Sequence, residues 1–206
     1  MDIKKKLEAD FNSALIKALA TNLYVSMEAY QRMCSENKKF FELQNSKTVL
    51  GHLRTYAVQR QIYLGSLRSD ALYSTQFCKT NNFKYETLFL ETENFILNIG
   101  ITKKRGQLLS LANYKKELAR ANAKDDPQIQ LEFSDTDTSH LKSVKNYAIL
   151  AYRYNENVGI THFDILVPSG DYKGIIAPIK SLHIPKMEIV PNFEQEVEPD
   201  ITSLKE

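Results

Sequence analysis

The amino-acid sequence predicts an α+β protein in which N-terminal helices precede a mostly antiparallel β-sheet with an inserted helix. Two patterns lead to this class. Apolar residues recur every three or four positions through the first third of the chain, as on one side of a helix, and every second position in later segments, as on one face of a strand. Hydrophobic residues make up 43% of the 206 positions and charged residues 25%. This balance is typical of a folded protein with its own core.

Three helices are predicted in the first 66 residues. The first runs from about Asp2 to Thr21, with an apolar stripe formed by Ile3, Leu7, Phe11, Ala14, Leu15, Ala18 and Leu19. The second runs from about Asn22 to Ser35. The third begins near Ser46, a suitable N-cap, and the residues expected to face the core are Val49, Leu50, Leu53, Tyr56, Ala57 and Leu64.

The middle of the chain predicts a hairpin, a helix and a short strand. Residues 85–90 and 94–102 form the hairpin, because apolar and polar residues alternate on either side of a polar turn. A shorter helix is predicted from Ser110 to Ala123, before the break at Pro127. A brief strand follows over Gln128–Phe133.

The remaining sequence predicts a second hairpin over Lys145–Tyr154 and Ile160–Pro168, and a further strand over Tyr172–Leu182. The second half is therefore expected to form a mostly antiparallel sheet. Residues 185–206 are acidic and interrupted by proline, which indicates an extended or partly disordered tail.

These elements indicate one α+β domain over residues 1–184, helical over about 1–66 and sheet-forming over about 84–184. Its two cysteines, Cys34 and Cys78, are too few for a disulfide framework. No run approaches the roughly 20 apolar residues of a membrane-spanning helix, and the charged start does not suggest a signal peptide. A cytoplasmic protein without a membrane span is predicted.

Catalytic, cofactor and metal motifs are not found in the sequence. The four histidines lie too far apart for a known metal-binding spacing: His52, His140, His162 and His183. A nuclease of the PD-(D/E)xK kind needs a Glu-x-Lys element, which is missing near Glu91. No metal and no cofactor are therefore predicted, and enzymatic activity is not favoured.

Three adjacent cations after the first hairpin are candidate binding residues: Lys103, Lys104 and Arg105. A cationic loop can bind phosphate or an acidic protein surface. The net charge of +2 is well below that of a domain that wraps nucleic acid, so only a local basic patch is expected. A nucleic-acid-directed protein would combine this patch with Arg153 and a carboxylate such as Glu91.

The end of a predicted strand supplies the other candidate binding residues, Tyr152, Arg153 and Tyr154. Aromatic side chains beside a guanidinium are frequent at protein interfaces and can stack on bases. On the next strand, His162 and Asp164 are two residues apart and share a face. The alternation places Phe163 in the core, so His162 and Asp164 are expected to face solvent.

Three segments in the C-terminal half carry a resemblance to known proteins: Tyr147-Ala148-Ile149-Leu150-Ala151-Tyr152-Arg153-Tyr154-Asn155, Gly159-Ile160 and Ile165-Leu166-Val167-Pro168-Ser169-Gly170. Together they resemble the C-terminal half of small bacterial proteins encoded beside helix-turn-helix/ImmA-IrrE metallopeptidase antitoxins. The resemblance implies a toxin-like or phage-defence effector.

The leading hypothesis is a macromolecule-binding effector of a bacterial toxin–antitoxin or phage-defence pair, which acts by protein interaction with a cognate partner. That partner is an antitoxin or a target. One alternative is a nucleic-acid-binding protein or nuclease-like enzyme. Another is a phage or host accessory protein that masks a partner surface, with the acidic tail as its most suggestive feature. The sequence leaves the oligomeric state open.

Overall fold

The computed structural model describes residues 2–42, 46–80, 86–125, 145–155 and 159–180. Within these ranges the chain forms four α-helices and a six-stranded sheet. The predicted α+β class, with N-terminal helices before a mostly antiparallel sheet, is confirmed. None of the helices in this part of the chain combines the length and the hydropathy that crossing a membrane requires.

Two helices replace the first predicted one, α1 over Ile3–Asp10 and α2 over Ser13–Glu36. The break lies at Asn12, whose side-chain oxygen accepts a hydrogen bond from the Leu15 N–H at 3.0 Å. Such an N-cap satisfies a backbone donor that the first turn leaves unpaired. Helix α2 then continues without interruption through residues 22–35, so the second predicted helix is the C-terminal part of α2.

The chain reverses through a 3-10 helix at Lys38–Glu42 and returns as α3, Ser46–Ser66. The buried side chains of α3 are Val58 and Ile62, whereas Tyr56 is 57% exposed. The sequence-based assignment of the inward face is therefore wrong for Tyr56, and also for Val49 and Leu64, which are 44% and 38% exposed. Helix α3 packs beside α2 near the sheet edge, so only a narrow stripe of it is covered.

The sheet follows chain order, and its strands β1 to β6 are Ser74–Lys79, Glu86–Glu91, Phe95–Ile101, Asn146–Asn155, Gly159–Pro168 and Ile175–Lys180. Every neighbouring pair is antiparallel except β3 and β4, which run parallel. A parallel pair requires a crossover connection. This crossover contains helix α4, Asn113–Ala119, followed by a 3-10 helix at Arg120–Asp125.

Both predicted hairpins are present, as β2–β3 and β4–β5. The predicted helix over 110–123 corresponds to the shorter α4 and its 3-10 extension, and the last predicted strand to β6. Strand β1, at one edge of the sheet, was not predicted. The predicted strand over residues 128–133 and the tail over 185–206 lie outside the described residues.

Helices α1 to α3 cover one face of the sheet and α4 covers the other, which gives three layers. On the first face, apolar side chains of the three helices pack on alternate strand residues: Leu88, Leu90, Phe95, Leu97, Ile99, Leu150, Tyr152, Phe163 and Ile165. The opposite strand residues pack against α4 and the segment before it: Phe89, Ile96, Tyr147, Ile149, Ala151 and Leu166. Both faces of the central strands are therefore buried.

The crossover is fixed to the sheet by Asn122, which is completely buried. Its amide nitrogen donates hydrogen bonds to the backbone oxygens of Tyr147 and Pro168, both at 2.9 Å, and its oxygen accepts from the Tyr147 N–H at 2.8 Å. Buried polar groups with satisfied hydrogen bonds specify one arrangement of the elements they join. This network positions the connection from β3 to β4, which begins with the cations of the first candidate site.

Candidate binding sites

Most of the large apolar side chains exposed to solvent lie in one part of the molecule. Eight of the ten found among the described residues belong to the segment from the end of α2 through β1: Phe40, Val49, Tyr56, Tyr63, Leu64, Leu67, Leu72 and Phe77. Single exposed apolar residues are normal on protein surfaces, whereas a concentration of them marks a site of interaction. The only others in this set are Ile101 and Leu111.

Three of these residues, Tyr56, Tyr63 and Phe77, line an open groove of about 1170 Å³ between α2, α3 and the sheet edge. The rings of Tyr63 and Phe77 are in contact, with centroids 5.8 Å apart. Tyr30 and Met33 of α2 form the opposite wall. This groove, together with its exposed rim of Tyr56, Tyr63 and Phe77, is called the α3–β1 surface below.

A rigid frame supports the α3–β1 surface. The hydroxyl of buried Tyr73 donates a hydrogen bond to the Ile62 backbone oxygen at 2.9 Å and accepts one from the Asn22 side chain at 2.8 Å. Burial raises the pKa of Tyr73 to about 12. A Cβ at Gly65 would lie 2.3 Å from the Tyr73 hydroxyl, which shows how closely α3 approaches this residue. The aromatic rim therefore rests on fixed elements.

The charge around the α3–β1 surface is mainly positive. Neither α3 nor β1 contains an Asp or Glu, while Arg54 and Arg60 lie in α3 and Lys79 ends β1. Arg60 lines the groove, as does one carboxylate from β2, Glu86. Arg54 lies over the ring of Tyr154, 4.8 Å from its centroid, in cation–π geometry. The groove thus has aromatic and aliphatic walls, and the helix and strand that flank it carry cations.

The predicted Tyr152–Tyr154 segment does not form one surface, because the pleat of β4 separates its members. Tyr152 is 2% exposed and lies in the core beneath the N-terminal helices. Tyr154 faces the same side, where its ring meets Tyr30 edge to face at 5.9 Å. Arg153 is exposed on the opposite face of the sheet. The three residues therefore belong to different environments.

A buried carboxylate holds the turn that follows β3. Asp164 of β5 is only 1% exposed, and its two oxygens accept hydrogen bonds from Nε of Arg105 at 3.3 Å and from the Gly106 N–H at 3.1 Å. Gly106 has φ of +67°, which glycine adopts without strain. The expectation that Asp164 faces solvent is wrong, because β5 is buried on both faces from Phe163 to Pro168.

Arg153 and His162 are directly opposite each other in β4 and β5, so their side chains lie on the same face as Asp164. Burial lowers the pKa of His162. The Asp164 carboxylate raises it, and the cations Arg105 and Arg153 lower it further. The imidazole Nδ1 lies 3.2 Å from the Thr161 hydroxyl, while Nε2 is enclosed without a hydrogen-bond partner in the part of the chain that is described.

The structure therefore joins segments that are far apart in the sequence. Lys103 and Lys104 are exposed on the turn that Asp164 holds, and Arg105 keeps 47% of its side chain exposed while it contacts this carboxylate. Arg105, Arg153 and His162 lie close to Asp164, and together with Lys103 and Lys104 of the same turn as Arg105 they are called the cationic cluster below. It contains four permanent cations and one carboxylate.

Glu91, the carboxylate considered for a nuclease-like site, lies elsewhere. It accepts from Lys145 at 2.9 Å and from the side chain of Gln76. Glu91 is paired with Ile96 of β3, and Ile96 is paired with Tyr147 of β4. Tyr147 lies six residues before Arg153 in the same strand. At about 3.3 Å per residue, the separation along the strand is roughly 20 Å. Glu91 and the cationic cluster therefore do not form one active site.

No group of three or more His, Cys, Asp or Glu side chains placed to hold a metal ion occurs within the described ranges. Comparisons of the chain with protein-family models, with curated proteins and with solved structures found no match. The two surfaces are therefore the basis for assigning a function.

Sequence reasoning missed the exposed aromatic rim of the α3–β1 surface and the role of Asp164 in the cationic cluster. Phe77 lies on β1, where exposed and half-buried positions do not alternate regularly, so periodicity gave no signal. The role of Asp164 depends on a turn 58 residues away in the sequence, which contacts β5 in the folded protein. A carboxylate in an otherwise apolar strand was the available sign of a distant ion pair.

Proposed function

We propose that this protein is a cytoplasmic effector of a bacterial toxin–antitoxin or phage-defence pair, and that it acts by binding an acidic protein partner through the α3–β1 surface. The observation that carries the binding proposal is the concentration of exposed aromatic and aliphatic side chains around one groove. The sequence resemblance described above supports the assignment to such a pair.

The composition of the groove favours a protein over a small polar ligand. Tyrosine and arginine are the residues that most often dominate binding energy at protein interfaces, and Tyr56, Tyr63 and Arg60 lie together here. The volume of about 1170 Å³ and the open shape suit a helix or an extended segment of a partner. Because these side chains rest on the Tyr73 frame, little ordering is needed on binding.

Charge complementarity supports an acidic partner. Arg60 and Glu86 line the groove, and the flanking elements α3 and β1 add Arg54 and Lys79 but no Asp or Glu, so the elements that carry the aromatic rim are positively charged. A partner segment that places apolar side chains in the groove and carboxylates at its rim would match both properties. Opposite charges at the rim also increase the rate of association.

The test is binding between the purified protein and the product of each gene adjacent to its own, measured by calorimetry on the wild type and on Tyr56→Ser. Tyr56 is largely exposed, and serine has a similar helix propensity, so the variant should fold. We expect affinity to fall by about 30-fold or more, as for a central interface tyrosine. Leu111→Ser is the matched control, since Leu111 is 66% exposed on the opposite side of the sheet and should not affect binding.

The alternative occupants give distinct results. If the wild type is a dimer that Tyr56→Ser makes monomeric, the surface binds a second copy of the chain and the proposal is wrong. Equal loss of affinity in Tyr56→Ser and Leu111→Ser, or none in either, would place the interface elsewhere. Binding of nucleic acid that depends on Tyr56 would also contradict a protein partner.

Bacterial growth tests the effector role separately. Induction of this gene alone should lower the viable count, and co-induction of the gene for the bound partner should restore it. If the surface binds the antitoxin, Tyr56→Ser should remain toxic. If the surface binds the target, Tyr56→Ser should become harmless. Either result assigns the partner. Harmless expression of the wild type would favour the accessory role, in which the protein only masks its partner.

A further inference from the structure

We propose that the cationic cluster is a phosphate-binding site, separate from the α3–β1 surface. The cluster lies on the α4 face of the sheet, whereas Phe77 and the groove lie on the face covered by α1 to α3. Its ligand class is a phosphate monoester or the phosphodiester backbone of a nucleic acid, which share the chemistry that guanidinium and ammonium groups recognise.

The first argument is the uneven charge of the cluster. Among the described residues, Arg105 and Arg153 lie close to His162 and Asp164, and Lys103 and Lys104 precede Arg105 on the same turn, although the whole chain carries a net charge of only +2. From Ile101 to Asn113 the chain contains no Asp or Glu. Folding alone does not favour the approach of like charges, and a bound anion would offset this repulsion.

The second argument is that the cluster is organised. The buried Asp164 contacts both Arg105 and the Gly106 N–H, and so fixes the turn that carries Lys103 and Lys104. Arg153 is held by the β4–β5 pairing and makes no ion pair within the described residues. Because Asp164 orients Arg105, and further cations lie nearby, the site is preorganised to bind an anion.

The third argument concerns His162, which is the cross-strand partner of Arg153 and interacts electrostatically with both arginines. Its enclosed Nε2 has no hydrogen-bond partner among the described residues, and a buried polar atom of this kind destabilises the fold unless a water or an ion satisfies it. Its proximity to Arg105, Arg153 and Asp164 places it within the same electrostatic site. When protonated, the imidazole adds a positive charge, so binding of an anion should strengthen as pH falls.

The adjacent surface has room for the rest of a phosphate-bearing molecule. A cavity of about 380 Å³ begins at Gly106 and is lined by Leu109, Tyr172 and Lys173, among others. Gly106 is the residue whose N–H binds Asp164, so the cavity and the cluster are contiguous. A nucleotide could therefore place its phosphate at the arginines and its remaining groups in this cavity.

The test is titration of the full chain with three probes at constant ionic strength and pH 7: inorganic phosphate, a nucleoside monophosphate and a short single-stranded oligonucleotide. The variant is Arg153→Gln, which removes an exposed cation and is not expected to disturb folding. Loss of one charge-assisted contact should weaken binding by about tenfold. Arg68→Gln is the matched control, because Arg68 is 70% exposed in an ion pair with Asp70 outside the cluster.

The three probes separate the possible sources of the phosphate. Tightest binding of the oligonucleotide, with a steep salt dependence, assigns a nucleic-acid backbone. Tightest binding of the monophosphate assigns a nucleotide, and equal binding of all three assigns a free phosphate group. The proposal is overturned if the wild type binds none of them, or if Arg153→Gln and Arg68→Gln weaken binding equally. These results do not depend on the protein partner, so the two proposals can fail separately.

Discussion

The α3–β1 surface and the cationic cluster lie on opposite faces of one sheet and are built in different ways. In the α3–β1 surface, the binding side chains are exposed, and the frame beneath them is a separate set, Tyr73 with Asn22 and Gly65. In the cationic cluster, the buried Asp164 contacts the exposed Arg105 directly. In the first region, different residues therefore provide binding and stability. In the second region, the contact between Asp164 and Arg105 contributes to both.

The largest expected effect follows from this coupling. Replacement of Asp164 by alanine removes the acceptor of the Gly106 N–H and a buried carboxylate that contacts Arg105, so the repulsion between Arg105 and Arg153 increases. We expect the free energy of unfolding to fall by about 3 kcal/mol, as for loss of a buried hydrogen-bonded charge. Urea denaturation measures this change.

Asp70→Ala is the control for Asp164→Ala, since Asp70 also pairs with an arginine but is 71% exposed. Its midpoint of denaturation should remain that of the wild type, because exposed ion pairs contribute little to stability. An Asp164→Ala variant as stable as the wild type would show that the turn is held by other contacts and would remove the distinction between the two regions.

Two glycines of α3 test how closely the frame under the α3–β1 surface is packed. A Cβ at Gly65 would approach the Tyr73 hydroxyl to 2.3 Å, whereas a Cβ at Gly51 meets nothing within 4 Å. Gly65→Ala should lower the free energy of unfolding by about 2 kcal/mol through overpacking. Gly51→Ala should raise it by about 0.5 to 1 kcal/mol, because alanine favours a helix more than glycine does.

Thermal denaturation of both glycine variants measures these changes. Opposite signs would confirm that the frame under the α3–β1 surface is closely packed at Gly65. If Gly65→Ala were as stable as Gly51→Ala, α3 would be free to shift, and the aromatic rim would not be preorganised.

The smallest effect is a pH dependence from His162. Its pKa in the folded protein is lowered below the ordinary value of 6.5, mainly by burial, and Asp164 on β5, Arg105 in the turn after β3 and Arg153 on β4 face it. The unfolded chain therefore binds the proton more readily, so stability contributed by the neutral imidazole is present above pH 6.5 and is lost as pH falls below it.

The free energy of unfolding should thus decrease between pH 7.5 and pH 5.5, and His162→Gln should reduce this slope. Denaturation at several pH values measures it, with His52→Gln as the control, since His52 is exposed on α3. A steeper slope in His162→Gln would show that the folded protein stabilises the protonated imidazole instead.

The sequence predicted the α+β class because its main signals are local. The period of two over β2–β3 and β4–β5 indicated both hairpins, and the apolar stripes indicated the N-terminal helices. The break at Asn12 was hidden because the stripe of Leu7, Phe11 and Leu15 continues across it. Periodicity reports which residues share a face, and it does not report where a helix restarts.

The candidate sites were predicted only in part, because they depend on contacts between distant segments. The nucleic-acid hypothesis combined the three adjacent cations with Arg153 but chose Glu91 as their carboxylate, and nothing local indicated that Arg105 contacts Asp164 instead. Asp164 was assigned to solvent because its neighbours alternate, although the turn at Gly106 covers it. Phe77 lies on a strand that pairs on one side only, where alternation is weak.

The account requires that the two faces recognise different ligands independently. The most direct measurement is a set of four titrations, in which Tyr56→Ser and Arg153→Gln are each tested with the protein partner and with the tightest-binding phosphate probe. We expect Tyr56→Ser to lose the partner and retain phosphate, and Arg153→Gln to lose phosphate and retain the partner. If either variant, folded as the wild type, lost both ligands, the two surfaces would form one site and the account would be contradicted.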